Sequence, residues 1–275
     1  MWRSVGARLF SLGDWATVAP NVHDVDMMRN LMDALAIEAE LRVDLAALFR
    51  IAAKLDWPEA VANHASVAID AGGRHFLMNP RWRHFSSLRA SDLQRLDAAA
   101  KPGDLPPDLD PTAWAIHGTM HAQLPQARCI LHMHPPYATA LACLADPGVK
   151  PVDQTSARFY RRVAIDRDYG GMADNVAEGL RLTRTLGSMR VLMMGNHGVL
   201  VVGDSIPEAF DALYHLERAS RTLMLAYASG QPLSILSDEI AEKTARSWQD
   251  GGEFARAHFM QMKRLLDKER LGYAD

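Results

Sequence analysis

Cysteine is scarce, and so is any surplus of charge. Two cysteines, Cys129 and Cys143, cannot build a disulfide framework, and they fit a reducing compartment. A formal charge of −3 leaves no basic footprint for nucleic acid, so no nucleic-acid partner is expected. No apolar run approaches the roughly 18 residues of a membrane span. The first residues, Met1 to Pro20, lack the apolar segment of a signal peptide. They read as a loosely packed arm, with oligomer contact as the functional alternative. A cytoplasmic protein without a membrane partner is expected. Internal repeats and low-complexity segments are also missing.

What is present is a chain of 275 residues, 48% of them hydrophobic, enough for one sizeable core. Its organising stretch is Cys129-Ile-Leu-His-Met-His-Pro-Pro136. Side chains alternate along a strand, so His132 and His134 share one face while Leu131 and Met133 point into packing. Two buried imidazoles side by side each need a partner, and one metal ion can serve both. The prolines end the strand and suit the first turn of a helix over Tyr137 to Leu144.

Around this stretch the pattern predicts a helix over Asp26 to Leu55, with Leu41, Leu45, Leu48, Ile51, Ala52 and Leu55 at helical spacing. Trp57-Pro58 closes it. A hairpin follows, with strands Ser66 to Asp70 and His75 to Met78 joined at Ala71-Gly-Gly73. Ser91 to Asp97 reads as a short helix or strand edge, and Lys101 to Asp110 as a loop. Asp110 and Pro111 start a helix over Thr112 to Gln123. After a mixed stretch holding Asp153, Gln154 and Tyr160, a helix is expected over Met172 to Leu186, ending at Gly187. Strands at Val191 to Met194 and Val199 to Val202 flank the turn Gly195-Asn-His-Gly198. Ser205 and Glu208 form a capping box for a helix reaching about Ser229. The tail, Ser237 to Leu271, is helical. Irregular interleaving of strands and helices argues an α/β fold with mixed pairing. The expected division is an arm (1–37), a main domain (38–232) and a helical C-terminal extension (233–275).

His197, between glycines on a tight turn, serves no core, and the glycines let backbone approach something closely. With His132 and His134 it supplies a third imidazole, a set suited to Lewis-acid chemistry.

At this point the motifs resemble the class II aldolase/adducin family. The matching pieces are Asn63-His-Ala-Ser-Val67, Phe76-Leu-Met-Asn-Pro80, Ala115-Ile-His117, His132-Met-His134, Gly195-Asn-His-Gly-Val-Leu200 and Glu217-Arg-Ala-Ser. They span about Leu41 to Gly230. The resemblance implies a three-layer α/β/α fold around a mixed, largely antiparallel sheet. It implies a divalent metal on His132, His134 and His197, most often zinc, with manganese, iron or cobalt as options. It also implies a homotetramer with active sites between subunits, and a small-molecule substrate. Adducin-like heads, which bind rather than catalyse, resemble the fold but lack the metal histidines.

The chain departs from the family's sugar-phosphate aldolases. Where those place an acid that serves as base, this chain has Ala113. Pro111-Thr112 replaces their serine pair, and Asn79-Pro-Arg-Trp82 replaces their second phosphate loop. These changes favour an unphosphorylated hydroxylated substrate carrying a carboxylate or an aromatic ring. Arg81 or Arg83 would pair its anion, with Trp82 and Phe85 as stacking candidates. Asn63, Ser66 and Gln154 are the other substrate-binding candidates. His64, His117, Asp153 and Tyr160 are the acid–base candidates; His117 could also be a fourth ligand or support the ligands from behind. His121 and His215 read as ordinary surface or interface residues. Retro-aldol cleavage releasing an aldehyde is the expected reaction. Decarboxylation of a hydroxy-aromatic acid, sugar-phosphate aldol or epimerase chemistry, and non-catalytic binding are the alternatives.

Overall fold

Seven strands form one sheet in the order β3-β2-β1-β4-β7-β6-β5, and only β5 and β6 run parallel. The computed structural model describes residues 22–173, 175–249 and 251–275. The arm expected over Met1 to Pro20 lies outside them. Contacts divide the chain into two units, Met1–Ile37 and Glu38–Asp275. What is described of the first is the opening of helix α1 (Val22–Lys54), where Met27, Met28, Leu31, Met32 and Leu35 are exposed.

In the second unit, strand β1 (His64–Ala68) pairs with β2 (His75–Met78), and β2 with β3 (Gln94–Asp97). On its other side β1 pairs with β4 (Cys129–Met133), which pairs with β7 (Gly198–Gly203). Strand β6 (Val191–Met194) joins β7 to β5 (Val163–Asp166). Alternation along these strands sends their side chains to two layers. Cys129, Leu131, Met133, Val199 and Val201 face a core shared with Leu45, Leu48 and Phe49 of α1. Leu141 of α3 (Pro136–Ala142) and Phe210, Leu213 and Leu216 of α6 (Ile206–Ala228) join it. Ile130, Leu192, Leu200 and Val202 face Ile116 and Met120 of α2 (Pro111–Gln123) and Leu182 and Leu186 of α5 (Val176–Leu186). The result is the expected α/β/α arrangement around a mixed, largely antiparallel sheet.

Local chemistry explains the boundaries. The Asp110 side chain accepts from Thr112 and Ala113 amides and opens α2 with Pro111 in its first turn. The Ser205 side chain accepts from the Glu208 amide, while Glu208 returns to the amide of Asp204 rather than of Ser205. Several expectations shift. Helix α5 begins at Val176, not Met172, because the Asn175 side chain caps it. Strand β1 begins two residues before Ser66, because His64 pairs in register with His132. The mixed stretch contains α4 (Gln154–Ala157) and the unexpected β5. The tail is two helices, α7 (Asp238–Ser247) and α8 (Gly252–Lys268), parted near Gly251. Phe259 and Leu266 of α8 enter the main core. Among the described residues no helix is long and apolar enough to cross a membrane.

Candidate metal centre

The strand register gathers the chemistry at one end of the sheet. His64 lies opposite His132 across β1 and β4, and the turn between β6 and β7 caps the same end. His132 is the fourth residue of β4, and His134 follows just beyond it, its amide held by the Trp57 carbonyl at 3.0 Å. That bond keeps the chain extended for one more step, so both imidazoles stay on one face. Behind them the Glu217 carboxylate accepts from the amides of Tyr137 and Ala138, at 3.0 and 2.7 Å, and fixes the start of α3.

His197 reaches the same point from the opposite direction. Asn196 before it takes a positive φ of 57°, and the His197 amide closes the turn on the Met194 carbonyl at 3.1 Å. Gly198 is required by proximity. A Cβ there would sit 2.3 Å from His134 Cδ2, so any side chain would drive that ring away. The nitrogens of His132, His134 and His197 lie within 4.8 Å of one another. The three rings meet edge to face, with centroids 4.8 to 5.2 Å apart.

The residues present fit a divalent cation. His132 Nδ1 lies 3.1 Å from the Val199 carbonyl, an acceptor, so Nδ1 holds the proton and Nε2 keeps its lone pair. His134 Nδ1 faces the Glu59 carboxylate at 3.6 Å, while its Nε2 is sealed from solvent and has no partner. A buried unpaired nitrogen beside two other imidazoles is what a metal would satisfy. All three rings are neutral near pH 7. Burial holds His132 well below the usual imidazole range, and His64, His197 and His134 add to this. Burial lowers His134 too, against the pull of Glu59. His197 falls to about 4, through burial and then His134.

The other candidate residues divide. His64, His117 and Ser66 lie behind the triad: the His64 ring is 5.0 Å from that of His132, and His117 bonds to both His64 and Ser66. Ser66 is 0% exposed, so its hydroxyl faces His117 and His121 rather than a substrate. His121, read as a surface residue, is buried in that same network. Asn63 spends its side-chain oxygen on the amide of Glu59 and holds the turn before β1. Arg81 follows β2 at the same end of the sheet as His64 and lies over the Trp82 ring at 4.1 Å, its Nε buried without a partner. Ala113 packs among Phe76, Met78 and Trp114.

Tyr160 and Gln154 are not brought to the triad within this chain. Tyr160 precedes the far end of β5 and meets Asp238, and Gln154 lines a cleft with Ile240, Lys243 and Trp248 of the C-terminal segment. Asp153 caps α4 through the Ser156 amide. A cavity of about 350 Å³ also opens at that far end, against Val191, Val202 and Trp248, away from the imidazoles. Two neighbours of the triad escaped sequence reasoning. Glu59 faces His134, and the exposed Tyr169 ring stands 6.0 Å from His197. Neither sits in a pattern that periodicity detects.

A mixed seven-stranded sheet between helices, with three neutral imidazoles converging at its end, defines an α/β protein of the metal-site type. Residues 43–224 match the Class II Aldolase and Adducin N-terminal domain, and the chain belongs to the class II aldolase/adducin family. It is 33% identical over 242 residues to a Caulobacter vibrioides protein named "Putative aldolase class 2 protein", covering 86% of this chain and 93% of that one. An aldolase II superfamily protein from Pseudomonas syringae superposes with a TM-score of 0.78 at 29% identity, covering 86% of this chain and 96% of the other. The L-fuculose 1-phosphate aldolase from Glaciozyma antarctica PI12 gives 0.74 at 26% identity, covering 87% and 94%.

Proposed function

We propose that the chain is a divalent-metal-dependent carbon–carbon lyase of the retro-aldol type, acting on an unphosphorylated hydroxylated substrate and releasing an aldehyde. The observation that carries this reading is the convergence of His132, His134 and His197 as neutral imidazoles. A cation on those nitrogens, zinc first and manganese, iron or cobalt next, would supply Lewis-acid stabilisation of the enolate-like charge left when an adjacent bond breaks. The chain's own residues do the rest. Val199 and Glu59 orient two of the rings from behind. His64 offers the nearest further nitrogen, and His117 holds it. Arg81, with Trp82 beside it, would pair a carboxylate or phenolate on the substrate.

Family membership supports aldolase chemistry, and the resemblance to the fuculose-phosphate enzyme supports its retro-aldol form. Ala113, Pro111-Thr112 and the Asn79–Trp82 loop argue against a phosphorylated substrate. The triad argues against a purely non-catalytic head. Active sites between subunits of a cytoplasmic homotetramer belong to this proposal, and light scattering tests the assembly: a fully active monomer overturns it.

The deciding experiment offers zinc-loaded protein a panel of hydroxy-aromatic and hydroxy acids beside fuculose-1-phosphate and ribulose-5-phosphate. Aldehyde release from an unphosphorylated acid is the expected result. Carbon dioxide release instead would move the assignment to a decarboxylase. Efficient turnover of the sugar phosphates alone would overturn the substrate reading. Arg81→Ala should weaken binding of the anionic substrate roughly ten- to a hundred-fold, the loss of one charge-assisted hydrogen bond, with metal content unchanged.

A further inference from the structure

Behind the triad four side chains form one continuous hydrogen-bonded line. His64 Nδ1 lies 2.8 Å from His117 Nε2, His117 Nδ1 lies 2.6 Å from Ser66 Oγ, and Ser66 Oγ lies 2.7 Å from His121 Nε2. All four residues are buried. The line follows from two periodicities. His64 and Ser66 are two apart on β1, and His117 and His121 are four apart on α2, so each pair shares a face. At one end the His64 ring lies beside His132, and at the other Phe76 stacks on His121 at 4.5 Å. His64 Nε2 has no protein partner among the described residues and is not one of the sealed, unpaired atoms.

A neutral imidazole has one donor and one acceptor nitrogen, and a hydroxyl has a single proton. The four groups therefore cannot choose independently. Two complete arrangements exist, each with four protons and no net charge. In one, His64 Nδ1–H donates to His117 Nε2, His117 Nδ1–H to Ser66 Oγ, and Ser66 O–H to His121 Nε2, with the last proton on His121 Nδ1. In the other, every bond reverses, and His64 holds its proton on Nε2.

The far end decides between them. His121 Nε2 is occupied by Ser66, so Nδ1 is the nitrogen left to meet the backbone. The Ala127 carbonyl acts on this ring and favours a proton there, although Nδ1 makes no close hydrogen bond. A carbonyl can only accept, so it selects the arrangement with Nδ1–H on His121. Burial keeps the line neutral: His64 falls to about 4 and His121 to about 3, each chiefly through desolvation.

We infer that Ser66, His117 and His121 are positioning residues that hold His64 in its Nδ1–H tautomer, leaving a bare Nε2 beside the triad as acceptor for a substrate hydroxyl. The substrate part rests on the lyase reading; the proton arrangement stands without it. The consequence is selectivity. A substrate O–H at this position is accepted, whereas a carbonyl or carboxylate oxygen there would meet lone pair with lone pair.

Long-range proton–nitrogen NMR spectra of the full chain, labelled with ¹⁵N-histidine, test it, because ring-nitrogen shifts separate protonated from bare nitrogens. Signals are assigned with single histidine variants. In the wild type His64 should show a protonated Nδ1 and a bare Nε2, and His121 a protonated Nδ1. Ser66→Ala should turn His64 into a tautomer mixture while His132, held by the Val199 carbonyl, stays unchanged, and Ser66→Thr should restore the single tautomer. A wild-type His64 protonated on Nε2 overturns the inference, as does a His64 pattern indifferent to Ser66→Ala. If the alanine variant does not fold, the wild-type spectrum still decides. Zinc binding is measured separately, so a correct His64 tautomer with no metal at the triad would sink the lyase reading and leave the relay standing.

Discussion

Two histidine clusters of this protein differ in one respect, the presence of a buried carboxylate. Six of the eleven histidines gather at the triad end of the sheet, where the nearest ion-pair acid, Glu59, is 69% exposed. Elsewhere His215 and His258 gather on Asp211, whose side chain is 2% exposed and which also takes Arg158 at 2.7 Å. That second cluster ties the end of α4 and helix α8 to α6. Burial alone would push the Asp211 carboxyl up. Hydrogen bonds from His215, His258 and Arg158 outweigh it and hold the group well below the usual carboxylate range. A central acid consumes the imidazoles in ion pairing and makes the cluster a clasp. Without one, the imidazoles stay neutral and their lone pairs remain available to a cation.

The contrast can be broken by substitution. Replacing His132, His134 and His197 together with alanine should abolish stoichiometric zinc or manganese binding, measured by elemental analysis, with the fold kept. Retained metal would place the site elsewhere. Asp211→Ala should cost about 3–5 kcal/mol of stability by removing the acid from a buried ion pair, with metal content unchanged. Asp211→Asn adds a pH signature. A depressed carboxyl pKa contributes stability that is full above the unfolded value of about 3.9 and is lost as pH falls toward the folded value. The asparagine penalty in denaturant melts should therefore be flat above roughly pH 5 and shrink in stronger acid. A penalty independent of pH would mean that the charge does not matter. The smallest effect sharpens the triad: Gly198→Ala should displace the His134 ring and weaken metal binding about 10–100-fold, the scale of a lost orienting contact. Unchanged affinity would show that His134 is not held where the turn places it.

Much of this was legible in the residue order. Alternation placed His132 and His134 on one face, the Gly–Asn–His–Gly turn marked His197, and Asp110 and Ser205 marked two helix starts. Four readings failed for one reason. Ser66 looked like a substrate contact and His121 like a surface residue, yet they meet across the β1–α2 packing. Tyr160 and Gln154 looked like site residues, yet they pack toward α7 at the other end of β5. Periodicity reports which residues share a face and is silent on which faces meet. Strand β5 escaped because a four-residue strand at a sheet edge has no turn partner in sequence, since its neighbour β6 is parallel and a helix away.

The sequence by itself determined the local elements, the shared face of two imidazoles and the loss of an acid at Ala113, because these depend on dihedral preference, side-chain alternation and residue identity. Only the tertiary structure decided that His197 joins them, that Glu59 and Val199 orient them, and that Ser66 and His121 stand behind His64. Those contacts join segments from 11 to 67 residues apart, and their partners are set by strand register and helix packing rather than by neighbours in the chain.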